Sequence, residues 1–402
     1  MHIMLVFLSA QGHLNPVLQF AGHLASRGIT ITLATTTTGR ERILKGGMGA
    51  AVEAEGTIKF EFFSDGWDSR VPNVNLDDYM DKLEMLGRES LASLVEELAA
   101  NGRQVTYIVT SPFTPWVVDV AKKLEIPCSV LWIQSSLVYS YYYRVFGGSG
   151  SNGEVPINLP GLPELNLEDL PSLSLPSNPY KTFPRIITQL YARLGDVRMV
   201  LGNSFDNLEP EEIRFVEGLH PIRLVGSLPS ISDLCKDMWD ASPECLTWLN
   251  SKRAALVVYI SVGSLVVLPL KQMEEMAWGF QASTLPFLWV VKPPENSSNT
   301  AIMPEGFLEE EEVLSHPSIA CFVTHCRWNS TLETLTAGVP VITILQCTDQ
   351  PTNAMFLVEV LGVGRRLRAG PDDVVSREEV AKCITSMTQG AAAEEMKAKA
   401  WT

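Results

Sequence analysis

The stretch Ile319-Ala320-Cys321-Phe322-Val323-Thr324-His325-Cys326-Arg327-Trp328-Asn329-Ser330-Thr331-Leu332-Glu333 decides the fold. Its first six residues form a short apolar, β-branched run of the kind that makes a strand buried on both faces. A polar turn follows, and then a helical pattern. A strand that runs through such a turn into a helix is the repeating unit of an open parallel sheet. The first amides of the helix, with Asn329 and Ser330, are placed to receive a diphosphate. A zinc site built from His316, Cys321, His325 and Cys326 is disfavoured, because His325 and Cys326 are adjacent at a strand end and should point to opposite faces.

The same alternation continues on both sides. Downstream of residue 244, strands are predicted at Ala255 to Ser261, Phe287 to Lys292 and Val339 to Leu345. Helices are predicted at Lys271 to Ala282, after Arg327, and after Ser376-Arg377-Glu378-Glu379, where Ser and Glu have capping-box spacing. Upstream, Ile3 to Leu8, a helical stretch from Asn15 to Ser26 and Ile29 to Thr35 give a βαβ opening. Further strands are expected at Thr106 to Thr110, Ser129 to Ile133, Met199 to Asn203 and Arg223 to Val225. A long amphipathic helix is expected from Tyr79 to Ala100, and Gly147 to Pro184 reads as an irregular surface excursion. The rhythm breaks near Gly226 and then restarts. The expected architecture is α/β, with two Rossmann-like domains over 1–226 and 244–402 joined by a linker over 227–243, their parallel sheets facing across a cleft. Ligands are expected beyond the carboxyl ends of the strands.

Composition narrows the function. Across 402 residues, Lys and Arg number 31 against 46 Asp and Glu, a net charge of −15, and no basic run offers a track for a phosphate backbone. Nucleic acid is excluded as a partner. Apolar runs stop well short of 18 residues, so no transmembrane segment is expected. The start, Met1-His2-Ile3-Met4-Leu5-Val6-Phe7, lacks a basic n-region or cleavage site. The seven scattered cysteines (128, 235, 245, 321, 326, 347 and 383) sit mostly among apolar neighbours, as buried free thiols do. A cytoplasmic, monomeric protein is expected.

The first strand leads into Ser9-Ala10-Gln11-Gly12-His13-Leu14-Asn15-Pro16, where Gly12 should permit a sharp turn and His13 should stand at the mouth of the cleft. An imidazole there can take a proton from a hydroxyl. On spacing alone, a structural histidine fits equally well. An NAD-type oxidoreductase fits less well, because the glycine fingerprint is absent and the second strand ends in Thr35-Thr36-Thr37-Thr38 rather than in an acidic residue that would hold a ribose.

Taken with Ala337-Gly338-Val339-Pro340 and Thr348-Asp349-Gln350-Pro351-Thr352-Asn353-Ala354, the opening stretch resembles the signature box of the family 1 plant glycosyltransferases, GT-B enzymes that use UDP-sugars. The resemblance extends to Gln11 to Pro16, Phe60 to Asp68, Leu131 to Gln134, Val258 to Ser264 and Phe287 to Lys292. It is greatest to the branch that glucosylates phenolic acids, which also holds limonoid and C-glycosylating enzymes. It implies an inverting transfer of glucose from UDP-glucose to a small aromatic acceptor, without a metal or cofactor. It makes His13 the general base. Ser264, His325, Asn329 and Ser330 would hold the diphosphate, Glu333 the ribose, and Trp328, Asp349 and Gln350 the sugar.

The chain departs from the family pattern at several places. Where the box opens with a uracil-stacking Trp and a ribose-reaching Gln, this chain has Phe307-Leu308-Glu309-Glu310, as though a central strand and its loop had been excised. Arg327 replaces a Gly, at a cost if that turn needs positive φ. Ser111 stands where many relatives place an Asp beside the histidine, and Asp119 on the following helix is read as structural. The chain also stops at Thr402, where relatives continue into further helices. A weakened base suits an acceptor that is already ionised, which points to an aromatic acid and a glucose ester. The competing expectation is a catalytically impaired member that binds small phenolics.

Overall fold

Every strand pair among the described residues is parallel. The computed structural model describes residues 1–8, 10–45, 56–67, 75–147, 162–210, 218–226, 228, 243–263, 268–290 and 313–400. The chain divides into two compact units, one of 1–166 with 172–238, the other of 167–171 with 239–402. Five residues from the first half, Leu167–Pro171, therefore pack with the second unit, whereas the sequence pattern placed them in the first. The predicted linker lies almost wholly outside the described residues.

The first unit holds a seven-stranded sheet of β1 (His2–Val6), β2 (Thr30–Thr36), β3 (Ile58–Phe63), β4 (Tyr107–Thr110), β5 (Cys128–Trp132), β6 (Val200–Gly202) and β7 (Ile222–Leu224). Their order is β3-β2-β1-β4-β5-β6-β7, so the winding reverses between β1 and β4. Both strands carry apolar runs because helices cover both faces of the sheet. β3 was not foreseen, although its Ile58-Lys59-Phe60-Glu61-Phe62-Phe63 alternation is a half-buried edge pattern.

Helix α1 (Gln11–Ala25) starts four residues before the predicted point. Gly12 therefore lies inside the helix rather than at a sharp turn, which corrects the reading of that glycine. Helix α2 (Thr37–Lys45) explains the threonine run. Thr36 Oγ1 accepts from Gly39 N at 3.0 Å, and the hydroxyls of Thr37 and Thr38 donate to the buried Asp65 carboxylate. The threonines cap a helix and tie β2 to the end of β3. Helix α3 (Leu76–Ala100) matches its expected amphipathic pattern and turns Met80, Leu83, Leu91, Val95 and Leu98 inward.

The remaining helices of this unit are α4 (Trp116–Lys123), α5 (Ser136–Phe146) and α6 (Thr182–Arg193). At the start of α5, the buried Glu209 carboxylate accepts from Ser136 Oγ at 3.0 Å and Leu137 N at 3.1 Å, placing an acid at the positive end of the helix dipole. Asp119 on α4 accepts from Arg88 at 2.8 Å and from Arg193 at 2.9 Å. Burial opposes its ionisation, but the two guanidiniums outweigh that and hold its pKa below the ordinary carboxylate value. Asp119 is thus engaged in joining α3, α4 and α6.

The second unit holds β8 (Val257–Ser261), β9 (Phe287–Val290), β10 (Ile319–Thr324), β11 (Val341–Thr343) and β12 (Gly364–Arg366), ordered β12-β11-β10-β8-β9. Its helices are α7 (Pro243–Asn250), α8 (Leu270–Ala282), α9 (Trp328–Ala337), α10 (Gln350–Met355, continued by a π turn to Val360), α11 (Arg377–Thr388) and α12 (Ala391–Ala400). Ser376 caps α11 by accepting from Glu379 N, as its spacing predicted. Among the described residues, β8, β10 and β11 are each paired on both sides, so a strand inserted between β9 and β10 in sequence can join only outside β9 or β12. A strand lost there is an edge strand, which corrects the expectation that a central strand had been excised. Residues 307–310 themselves lie outside the described residues.

Helices α8 and α11 approach closely at Gly279, where a Cβ would lie 2.6 Å from Val380 Cβ and 2.9 Å from the Arg377 carbonyl oxygen. A backbone carbonyl cannot rotate away as a flexible side chain can. We expect Gly279→Val to lower unfolding free energy by roughly 1–3 kcal/mol in urea titrations. Gly195→Ala, where nothing lies within 4 Å, should be nearly neutral.

Candidate functional site

The site residues read from the sequence fall in both units. In the first, β1 and β4 are hydrogen-bonded neighbours, so the chain leaves both strands at the same sheet edge, and Ser111 N donates to Val6 O at 3.0 Å. His13 occupies the first turn of α1, with its amide donating to Ala10 O at 2.8 Å. Its ring lies 5.0 Å from that of Phe113, tilted by 36°. The Ser111 hydroxyl oxygen accepts from Phe113 N at 3.3 Å and so fixes the turn that presents the ring. Phe113 meets Phe183 edge-on at 5.7 Å, and Phe183 meets Tyr180 edge-on at 5.8 Å. An aromatic row thus starts at the imidazole. Position 111 stands out in the sequence for its missing Asp, whereas Phe113 carries no local signal, because its ring contact depends on the pairing of β1 with β4.

In the second unit the chain exits β10 through His325 and Cys326 and exits β11 through Ile344 to Asp349. These exits are adjacent because Thr324 pairs with Thr343 and Ile344 N donates to Thr324 O at 2.9 Å. Cys326 takes the left-handed conformation, φ 61°, and Arg327 is extended at φ −64°. The strained position is therefore Cys326, and Arg327 incurs no backbone penalty for replacing a glycine. Arg327 is the N-cap residue of α9 and places no side-chain cap on its amides. Its guanidinium reaches the thiol of Cys347 in the neighbouring exit loop.

Asn353 joins the two exits. Its Nδ2 donates to Cys326 O at 2.9 Å and to Asp349 Oδ2 at 2.8 Å. The other Asp349 oxygen accepts from Thr348 Oγ1 at 2.9 Å. Gln350, fully buried, has its Oε1 occupied by the amides of Gln346 at 2.7 Å and Cys347 at 3.1 Å, while its Nε2 has no acceptor among the described residues. A buried amide NH2 without an acceptor costs on the order of 1–3 kcal/mol, and a polar ligand would relieve that cost. Asp349 and Gln350 are thus held by the protein, with hydrogen-bonding capacity left over.

His325 is 5% exposed, and Gly263, with φ 84°, leaves room for its ring, since a Cβ there would collide with Nε2. Burial, with the charge of Arg327 adding to it, pushes the His325 pKa down to about 3. At neutral pH it is a neutral ring that can offer one N–H donor but no charge. Ser330 is buried, while Asn329 and Glu333 are partly so, all on the first two turns of α9. Trp328 is 1% exposed. Ser264 lies outside the described residues.

His316 is committed elsewhere, its ring nitrogens meeting Ser318 Oγ at 2.8 Å and Asn250 Oδ1 at 3.2 Å. Among the described residues no group of three or more potential metal ligands gathers. The described cysteines are all free, and burial pushes the thiols of Cys128 and Cys321 up to about 12. Nor, among the described residues, is any helix long and apolar enough to cross a membrane.

Comparison with known proteins matches residues 180–387 to the UDP-glucoronosyl and UDP-glucosyl transferase family and residues 1–144 to the glycosyltransferase N-terminal domain. The chain is 38% identical to the gallate 1-beta-glucosyltransferase of Quercus robur, over 99% of this chain and 84% of that one. It is 39% identical to the limonoid UDP-glucosyltransferase of Citrus unshiu, over 97% and 82%. The Quercus robur alignment runs to 428 positions against a 402-residue chain, so the relative carries residues inside the matched span that have no counterpart here. Among solved structures, Os79 from O. sativa in complex with UDP matches with a TM-score of 0.88 at 27% identity, covering 100% of this chain and 94% of that one.

The buried histidine predicts a pH dependence. With a folded pKa of about 3 against an ordinary value of 6.5, the unfolded chain binds the extra proton between those limits. The contribution is complete above pH 6.5 and is lost as pH falls toward 3. Urea unfolding between pH 7 and 4 should therefore show a flatter pH dependence for His325→Gln than for the wild type, by up to about 1.4 kcal/mol per pH unit.

Proposed function

Because the chain belongs to the UDP-glucoronosyl and UDP-glucosyl transferase family, we propose that it moves glucose from UDP-glucose to a small aromatic acceptor, inverting the anomeric carbon. The observation that carries this reading is the Asn353 bridge, which sets Asp349 and Gln350 beside the Cys326 turn and the start of α9. A carboxylate and an amide at fixed separation match vicinal sugar hydroxyls. The positive end of the α9 dipole, with Asn329, Ser330 and Arg327, would supply the positive potential that a diphosphate needs. His325, as a neutral donor, adds a hydrogen bond, and Glu333 would take the ribose hydroxyls.

The acceptor would lie along the Phe113–Phe183 row with its nucleophilic oxygen toward His13. That oxygen attacks the anomeric carbon as the bond from this carbon to the diphosphate oxygen breaks, and UDP leaves with the electron pair. When the acceptor is a hydroxyl, His13 takes its proton. A carboxylate acceptor brings no proton, so the transfer needs far less from the base. No metal or cofactor enters this scheme. The identity to the gallate glucosyltransferase supports an aromatic acid as acceptor and a glucose ester as product.

A second reading has its own support in the Phe307-Leu308-Glu309-Glu310 run, which stands where relatives carry the uracil-stacking Trp. Loss of such stacking costs on the order of 1–3 kcal/mol. On that reading the chain binds phenolics without efficient transfer. Turnover of UDP-glucose with gallate or cinnamate decides between the two: ester formation supports the enzyme, and saturable acid binding without product supports the impaired form.

The role of His13 gives a sharper expectation. His13→Ala should cut kcat/KM for a neutral phenol by about 10²–10⁴-fold and for a carboxylic acid by less than about tenfold. With the wild type, ester formation should stay nearly flat from pH 6 to 9. Equal losses on both acceptors, or faster turnover of neutral phenols throughout that range, would contradict the aromatic-acid assignment. Arg327→Gly should weaken UDP binding, since the guanidinium contributes charge at no backbone cost.

A further inference from the structure

The strap Leu167–Pro171 leaves the first unit in sequence and packs with the second. Its contacts fall on the helix that carries Gln350 and on Arg366 of β12. The Asp169 carbonyl oxygen accepts from the buried Thr352 Oγ1 at 2.6 Å. The Asp169 carboxylate accepts from Arg366 at 2.9 Å, and the same guanidinium nitrogen reaches the Pro351 carbonyl oxygen at 3.4 Å. Glu168 lies 3.9 Å from the guanidinium. Asp169 is itself more than nine-tenths buried, and Leu170 beside it is buried as well. An ion pair whose carboxylate is buried and whose guanidinium is partly so, with further hydrogen bonds to both residues, holds its geometry more tightly than an exposed one.

Pro351 and Thr352 directly follow Asp349 and Gln350 in α10. The strap therefore grips the first turn of α10 at the residues next to the proposed sugar contacts, while the Asn353 amide holds the same turn through Cys326 and Asp349. We infer that Leu167–Pro171 is a positioning element of the donor-sugar site, with Asp169, Arg366 and Thr352 setting where Asp349 and Gln350 stand. None of the three touches a reacting atom. They act through α10, and the inference rests on the reading of Asp349 and Gln350 as sugar contacts.

A positioning role separates two ligands that a purely structural role would not. UDP lacks the sugar, so its affinity should be indifferent to a small shift of α10, whereas UDP-glucose should lose contacts. Thr352→Val removes the 2.6 Å hydrogen bond at constant shape, and Asp169→Asn removes the charge. Isothermal titration of the full chain with UDP and with UDP-glucose, alongside Tm, reads both. Each variant should weaken UDP-glucose by about tenfold while UDP changes by less than about twofold. KM for UDP-glucose should rise with a smaller change in kcat, and Arg366→Lys, which keeps the charge, should fall between the wild type and Asp169→Asn.

If UDP and UDP-glucose weaken equally, or neither changes, the strap is structural and the inference is overturned. Asp169→Asn leaves a partly buried guanidinium without its closest carboxylate, so Thr352→Val carries the test if that protein does not fold. Asp349→Asn separates the two layers of the argument. If it leaves the ratio of the two affinities unchanged, the sugar-site reading fails and this inference with it. If it shifts the ratio while the strap variants do not, only the positioning role fails.

Discussion

The geometry of the proposed donor site in the second unit depends on one side-chain amide. Asn353 donates both to the carbonyl of a left-handed residue, Cys326, and to the carboxylate of Asp349. The two strand exits it joins are adjacent only because β10 and β11 pair in register, and each exit alone is a short loop with several polar groups to satisfy. Fastened together, they form a polar surface at the carboxyl edge of a parallel sheet, where the positive end of a helix dipole favours an anionic ligand. The orientation of the Asp349 carboxylate and the register of α10 follow from that fastening. Rigid placement of a few polar groups matters more for transfer chemistry than the number of contacts, since misplacement by an ångström can cost two orders of magnitude in rate.

Burial gives the same region its electrostatic character. His325 is enclosed and sits beside Arg327, so it stays neutral through the physiological range and is restricted to hydrogen bonding. On the proposed reading, the positive potential for a diphosphate would come from the start of α9 and from Arg327. That side chain replaces a glycine without strain, because the left-handed conformation belongs to the residue before it. The substitution thus changes the charge of the site and leaves its backbone intact.

Much of this was legible in the sequence because parallel strands announce themselves. Ile319–Thr324 is read as a strand and found as one, and β1, β2, β4, β5 and β8 lie within two residues of their predicted ends. Strands buried on both faces need unbroken apolar runs, and few other structures do. The elements that escaped carry weaker local signals. β3 is a half-buried edge with alternating polarity, and β12 is three residues long with two arginines. The threonine run that argued against a dinucleotide site turned out to cap α2 around Asp65.

The polar residues of the site were visible through their motif, but what positions them was not. Phe113 beside His13, Asn353 between two loops and Asp169 against Thr352 are contacts between residues far apart in sequence, fixed only by the folded sheet. The central question is whether the paired exits of β10 and β11 hold a nucleotide sugar. Isothermal titration of UDP-glucose into the wild-type chain and into Asn353→Ala tests this most directly. Saturable heat with the wild type and at least about a tenfold weaker affinity in the variant, a difference near 1.4 kcal/mol, is the predicted result. No binding by the folded wild type, or equal affinity in both proteins, would contradict it.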